Sequence, residues 1–542
     1  MNSRNTSADP PSPLGAGASA WAPFRHRVFL IIWVATVVSN IGTWMYNLAS
    51  GWLMMGLDAD PFIVSMVQVA NTLPLFLFAI PAGALVDVVD RRRFLIYGET
   101  AITIMSVAFA ALVWLRLITP SGLLFFSFIV SVGSAMTAPA WQAVVPQLVP
   151  RPDLQSAISA NSAGINVSRA IGPALGGVLI GSAGIAAPFW LDAFSNIGVI
   201  AALIWWRPRK SALQPLPPES FWGAMRTGIR HARYNSHLRA TLIRAITFFT
   251  FAGAYWALLP LIVRVRIVAG PGLYGVLLGI IGASAVISAI LLPRLRNRWS
   301  ADQLLIGATV ATSLATALFG IARNPLTAVA ASVLAGASWV VALTGLSVSA
   351  QVALPEWVRG RGLAMYVTVM FGALSVGSAI WGEIATRLGL PASLLIAAAG
   401  AVASIPLTRR WMVQTGADVD LSPSMHWPAP VTTHSIEGDR GPVLVTVEYS
   451  IDPSNREPFL RALGRYGHER RRDGAYRWGV YEDPAQAGRF IETFLTDSWL
   501  EHLRLHERVT KADRKLEDAV RRFQVGEGPK TTHLIGAQPR IT

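Results

Sequence analysis

Up to about residue 412, apolar residues occupy the chain in long runs rather than in stripes. Breakers and charges divide them near 28–50, 62–83, 95–115, 121–143, 154–182 and 185–206. A second set follows near 239–262, 271–292, 303–322, 325–350, 359–385 and 389–411. Each run holds about 20 residues, enough for a helix rising 1.5 Å per residue to cross about 30 Å of hydrocarbon. The pattern predicts twelve transmembrane helices in two six-helix halves, 25–206 and 239–412. Between them, 207–238 is polar and ends in "FWGAMRTGIRHARY", which reads as an amphipathic interfacial tether. Residues 1–24 and 526–542 read as disordered polar tails, and 413–441 as a linker.

From 442 to 525 the period changes. "PVLVTVEYS" alternates like a half-buried strand, "SNREPFLRALGRYGHERRR" has a helical stripe, and "AYRWGVYED" and "GRFIETFL" read as strands before a helical "SWLEHLRLHERVTKADRKLEDAVRRF". The order βαββα predicts a small cytosolic α+β domain of ferredoxin-like type. The fold class expected is thus an all-α polytopic membrane protein with a C-terminal α+β domain.

Composition supports a lipid-embedded chain: 52% of residues are hydrophobic and 14% charged, against about 25% charged in soluble domains. Mean hydropathy is +0.44. The net charge of +15 reflects topology. Twenty basic residues fall on one side of the spans, among them Arg91–Arg93, Arg151 and Arg294, and five on the other. The positive-inside bias predicts cytoplasmic termini, and nucleic acid is not expected as a partner. The apolar run from Val28 is too long for a cleavable signal peptide. Cysteine is absent, which excludes disulfides and thiolate chemistry. No Walker A loop precedes a lysine, so ATP hydrolysis is not the energy source. No cofactor, metal or catalytic residue is expected.

Between the second and third runs stands "PAGALVDVVDRRR", with Gly83, Asp87, Arg91 and Arg92 at close spacing. It resembles the cytoplasmic signature of the major facilitator superfamily, with Asp90 where that family usually has glycine and Val88 where it has a basic residue. The resemblance implies a state-dependent latch. "SRAIGPALGG", with Arg169, Gly172, Pro173, Gly176 and Gly177, resembles the motif of drug and antiporter branches, with Ser168 in place of a glycine. "PAWQAVVPQLVPRPDLQSAISANSAGINVSRAIGPALGG" and "QVALPEWVRGRGLAMY" resemble the enterobactin-exporter-like, transmembrane secretion effector branch. That resemblance implies a bacterial inner-membrane exporter of a small lipophilic or siderophore-like molecule, coupled to protons. An importer or multidrug permease, or a transporter whose tail is an enzyme or ligand sensor, is the alternative. The tail resembles dimeric α+β barrels, which implies pairing with a second copy of the chain.

Ionisable residues inside the bilayer are functional candidates by default. Asp192 either carries a coupling proton, pairs structurally or sits near an interface. Arg169 is its natural counter-charge, an anion-binding group or a cavity-closing residue, and Glu99 is a second coupling candidate or a partner of the arginine cluster. Asn40, Trp44, Asn47, Asn161 and Asn166 are cavity candidates, helix–helix hydrogen bonding being the other reading. In the tail, His502 and His506 lie four apart on a helix face, a spacing that could hold a metal. No further ligand is obvious, so solvated or dimer-interface residues is the reading preferred over a metal site.

Overall fold

A computed structural model describes residues 21–207, 233–413 and, apart from short breaks between 420 and 440, 420–537. The predicted tether falls largely outside the described residues. Among the described residues, twelve helices are long and apolar enough to cross a membrane. They are α1 (Arg27–Leu57), α2 (Pro61–Val88), α3 (Arg91–Trp114), α4 (Pro120–Val144), α5 (Leu154–Ala183) and α6 (Ala187–Trp205) in the first half. The second half holds α7 (Ser236–Leu261), α8 (Pro271–Arg296), α9 (Ala301–Ile321), α10 (Pro325–Val352), α11 (Glu356–Leu388) and α12 (Leu390–Thr408). Residues 21–24, expected to be disordered, are ordered: a 3-10 turn over Ala22–Arg25 stacks Phe24 on Phe29 and Trp33.

Many starts are chemically marked. Asp60 accepts from the first amides of α2, Thr119 from α4, Asn324 from α10 and Ser300 from α9, each satisfying donors that a helix leaves orphaned. Asp90, the departure from the family signature, caps α3 by accepting from the Arg93 amide at 2.9 Å.

The halves meet along two seams. At one, the Phe62 amide donates to Thr386 Oγ1 (3.0 Å), which donates to Asp60 (3.1 Å), and Thr72 pairs with Ser375 (2.6 Å) further in. This seam joins α2 to α11 from the middle of the molecule to the end away from the arginines. The second joins α5 to α8, where Gly177 and Gly275 lie backbone to backbone. At the basic end of α2, by contrast, a Cβ on Gly83 would meet nothing within 4 Å. The contacts of the first seam therefore hold the halves together at the end away from the arginines. In the second half, Arg244 bridges α7, α9 and α12, donating to Asp302 (2.7 Å) and Thr408 (2.9 Å).

The C-terminal domain contains β1 (Val443–Ser450), α13 (Arg456–Asp473), β2 (Tyr476–Glu482), β3 (Arg489–Thr496), α14 (Trp499–Arg508), α15 (Lys511–Arg521) and β4 (Lys530–Ile535). Its antiparallel sheet runs β2-β3-β1-β4, the ferredoxin-like order expected. The expected disordered tail is corrected: β4 pairs with β1. "KTTHLI" hid this strand because an edge strand with exposed polar residues carries little hydrophobic alternation. Glu492 is fully buried on the sheet's inner face, where Arg470 (2.8 Å), Trp478 (2.8 Å) and Tyr449 (3.0 Å) all donate to it.

The expected linker is also partly folded onto this domain. The Ser424 amide donates to the Val509 carbonyl (2.9 Å), and Trp427 Nε1 donates to Glu517 (2.7 Å). Burial pushes the Glu517 carboxyl up, but donation from Tyr466 and Trp427 and contact with His426 outweigh it and hold it at about 2. A folded-state pKa below the ordinary 4.5 stabilises the docked segment above that pH and ceases to do so as pH falls towards 2. Protection of the amides at 420–427, measured against their intrinsic exchange rates at each pH, is therefore expected to fall across this window, and Glu517→Gln to flatten the dependence.

Candidate functional site

Two cavities open into the transmembrane region. The first, about 460 Å³, lies within the N-terminal half and is lined by Asn40, Asn47, Glu99, Trp141, Asn161 and Asp192, among others. The second, about 310 Å³, lies between the halves. Trp44, Trp256, Trp339, Tyr274 and Phe371 form much of its wall, with Asn47, Gln68, Asn71 and Arg169 as polar groups. Asn47 and Asn71 line both, so the cavities adjoin.

Asp192 is 3% exposed, enclosed by its neighbouring helices. Ser106 of α3 donates to one carboxylate oxygen (3.2 Å) and Thr43 of α1 lies 3.4 Å from the other. One turn on, Asn196 accepts from Ser39 (2.6 Å). Asp192 thus joins three helices through neutral hydroxyls, and no cation pairs with it among the described residues. A buried carboxyl held this way can exist with or without its proton without breaking an ion pair. Gly42 permits the contact, since a Cβ there would come within 3.0 Å of the Asp192 backbone.

Arg169 is not the counter-charge of Asp192. It faces the inter-half cavity, its guanidinium lies 5.3 Å from the Trp44 ring, and its Nε is sealed without a hydrogen-bond partner. Among the described residues no carboxylate pairs with it. Its position follows from the glycine–proline motif. Gly172 and Gly176 let α5 approach α1, a Cβ at Gly172 lying 2.6 Å from that of Trp44, while Gly177 meets Pro271 and Gly275 of α8. Pro173 cannot donate to the Arg169 carbonyl four residues back, and that carbonyl lies against Gly282 of α8. Ser168, the unexpected residue, donates to the Val37 and Gly164 carbonyls (3.1 and 2.9 Å), tying α5 to α1.

Glu99 does not partner the arginine cluster: it is buried and accepts from Trp141 at 2.8 Å. Arg92 donates to the Leu203 and Ile204 carbonyls (2.8 and 2.7 Å), capping the end of α6. Asp87 lies in α2, its side chain outside the described residues. Asn166 lines neither cavity; its amide folds back onto the Ser162 carbonyl (2.9 Å). Residues that sequence reasoning missed include Trp141, Asn71 and the tryptophans of the second half. Their polarity or size does not stand out in runs already rich in aromatics.

Two six-helix halves that meet along two seams and flank an aromatic cavity define a transporter of the major facilitator type. Solved structures with this arrangement include a bacterial homologue of the human lysosomal transporter Spinster in an inward-facing, unoccupied conformation, with a TM-score of 0.53 at 14% identity over 73% of this chain and 96% of that one. The nucleoside transporter NupG gives 0.55 at 14% identity over 71% and 98%. More specifically, the chain belongs to the transmembrane secretion effector family, which matches residues 18–540. Among its relatives, an MFS-type transporter of Bacillus subtilis, YfiS, is 25% identical, covering 69% of this chain and 90% of its own length. The staphyloferrin A transporter of Staphylococcus aureus is 22% identical (52% and 69%), and macrolide efflux protein A of Streptococcus pyogenes 25% (43% and 58%).

Proposed function

We propose that this transporter exports a small lipophilic molecule bearing an anionic or oxygen-rich group across a bacterial plasma membrane, in exchange for protons. The observation that carries this reading is the cavity between the halves, where an aromatic wall surrounds one arginine with no carboxylate partner among the described residues. Tryptophan faces bind flat apolar surface, and an unpaired guanidinium in such surroundings gains most from an oxyanion. The names of the relatives, macrolide efflux and staphyloferrin A transport, support cargo of this size and polarity. Asp192 would carry the coupled proton, with Glu99 as a second acceptor in the same cavity. The basic end would face the cytoplasm, with both termini, and Gly83, Asp87 and Arg91–Arg93 would close it when the opposite end opens.

Everted vesicles with an imposed proton gradient test this directly. Staphyloferrin A and a macrolide are offered as cargo, and uptake and dye-reported proton release are followed together. The expected result is gradient-dependent uptake of the carboxylate-bearing cargo, reduced at least about tenfold by Arg169→Gln, the loss of one charge-assisted contact. Equal uptake by the variant would remove Arg169 from cargo recognition.

A further inference from the structure

The C-terminal domain contains a cluster of histidines with no part in transport as described above. His502 and His506 lie one turn apart on α14, and His533 comes from β4. Register explains why the three converge. His533 stands opposite Val445, a buried residue on the inner face of β1. Directly paired residues in neighbouring strands share a face, so His533 points to the helix-covered side of the sheet. The ring centroids of His502 lie 4.8 Å from those of His506 and 4.6 Å from those of His533. One nitrogen from each of the three falls within 4.8 Å of the others.

A second observation points to a ligand. His502 is 1% exposed, and neither of its ring nitrogens has a hydrogen-bond partner among the described residues. A neutral imidazole carries one donor and one acceptor, and leaving a buried polar group unmet costs about 1–3 kcal/mol. Packing alone would favour a leucine or phenylalanine at that position. The nearest cationic side chain, Arg470, is already committed to Glu492 at 2.8 Å.

We propose that His502, His506 and His533 form a binding site for a borderline divalent transition metal ion of the zinc class. Imidazole-only donor sets suit Zn²⁺, Ni²⁺ and Cu²⁺ and disfavour Mg²⁺ and Ca²⁺, which take oxygen ligands. Tetrahedral zinc at about 2.0–2.1 Å from each nitrogen needs the nitrogens about 3.4 Å apart. Three protein ligands leave the fourth position to water or a small anion. The ion would clamp the terminal strand to α14. The far end of that helix carries Arg508, whose guanidinium stacks 4.4 Å from the Trp357 ring at the start of α11. Metal occupancy is thereby placed one helix away from the basic end of the transporter.

The test uses the full chain in detergent, freed of any polyhistidine tag, stripped with chelator and dialysed against limiting Zn²⁺. The expected result is one equivalent of zinc by elemental analysis and a rise in the midpoint of domain unfolding. His506→Gln and His533→Gln, both at half-buried positions, are each expected to weaken binding at least about tenfold and to abolish the zinc-dependent rise. His468→Gln, on the exposed face of α13, should leave both unchanged. Substituting Co²⁺ should give the visible absorption of a tetrahedral nitrogen site in the parent only. Absence of stoichiometric zinc in the parent, or full retention in both variants, overturns the proposal. Monodisperse elution of the variants keeps loss of binding distinct from loss of fold.

Discussion

Asp192→Asn is expected to reduce gradient-driven transport to background while leaving insertion and cargo binding intact. Asparagine keeps the shape of the side chain: its carbonyl oxygen can accept from one of Ser106 and Thr43, which lie 3.2 and 3.4 Å from the two carboxylate oxygens, and its amide can donate to the hydroxyl of the other. It removes only the capacity to gain and lose a proton. Because the carboxyl has hydroxyl neighbours and no cationic partner among the described residues, no orphaned charge is created, and the penalty of several kcal/mol for breaking a buried ion pair does not arise. Counterflow exchange, which needs no net proton movement, should therefore survive. A variant that still concentrates cargo when a gradient is imposed would return Asp192 to a structural role. Loss of counterflow as well would mean that the cavity had collapsed and that the coupling assignment had lost its support.

The second large effect is expected at the α5–α8 seam. Gly177→Leu forces a side chain into a space where a Cβ already falls 2.6 Å from the Pro271 carbonyl and 3.2 Å from Gly275 Cα. Overpacking of this kind costs about 1–3 kcal/mol, but only in the state in which the seam is closed. That converts to a shift of about 5–150-fold towards the state open at the opposite end. The chain has no cysteine, so Asn71→Cys alone reports on the cavity. An impermeant maleimide added from the side opposite the arginines should label it faster when Gly177→Leu is also present. Unchanged labelling would show that the seam does not gate that end.

Much of the fold was legible because the bilayer imposes a coarse rule. A span must be apolar for about 20 residues, and all twelve runs became helices. Motif glycines were legible as close contacts for a similar reason, since a residue without a Cβ in a helix interior calls for a neighbouring backbone. Which backbone was not legible: Gly172 and Gly176 meet α1, whereas Gly177, one residue on, meets α8. Partners of buried charges were read poorly. Arg169 and Asp192 look complementary in sequence, yet they face adjoining cavities, because their places around α5 and α6 depend on packing between helices. Glu99 found an indole, a donor that charge counting never considers. The tail shows the same limit. His502 and His506 were visible as a pair, but the third histidine sits on an edge strand whose polar alternation resembled disorder, and sheet register alone brings it to the other two.

The central claim is that the α2–α11 seam is one of two alternating gates around a shared cavity. In a chain carrying Asn71→Cys, the test adds Asp60→Cys and Thr386→Cys, joins that pair with a short reducible bifunctional linker, and then measures maleimide labelling at position 71 from each side. The account predicts that locking the seam abolishes labelling from the opposite side and preserves it from the basic side, and that reduction restores labelling from the opposite side. Labelling from the opposite side that persists with the seam locked would contradict it.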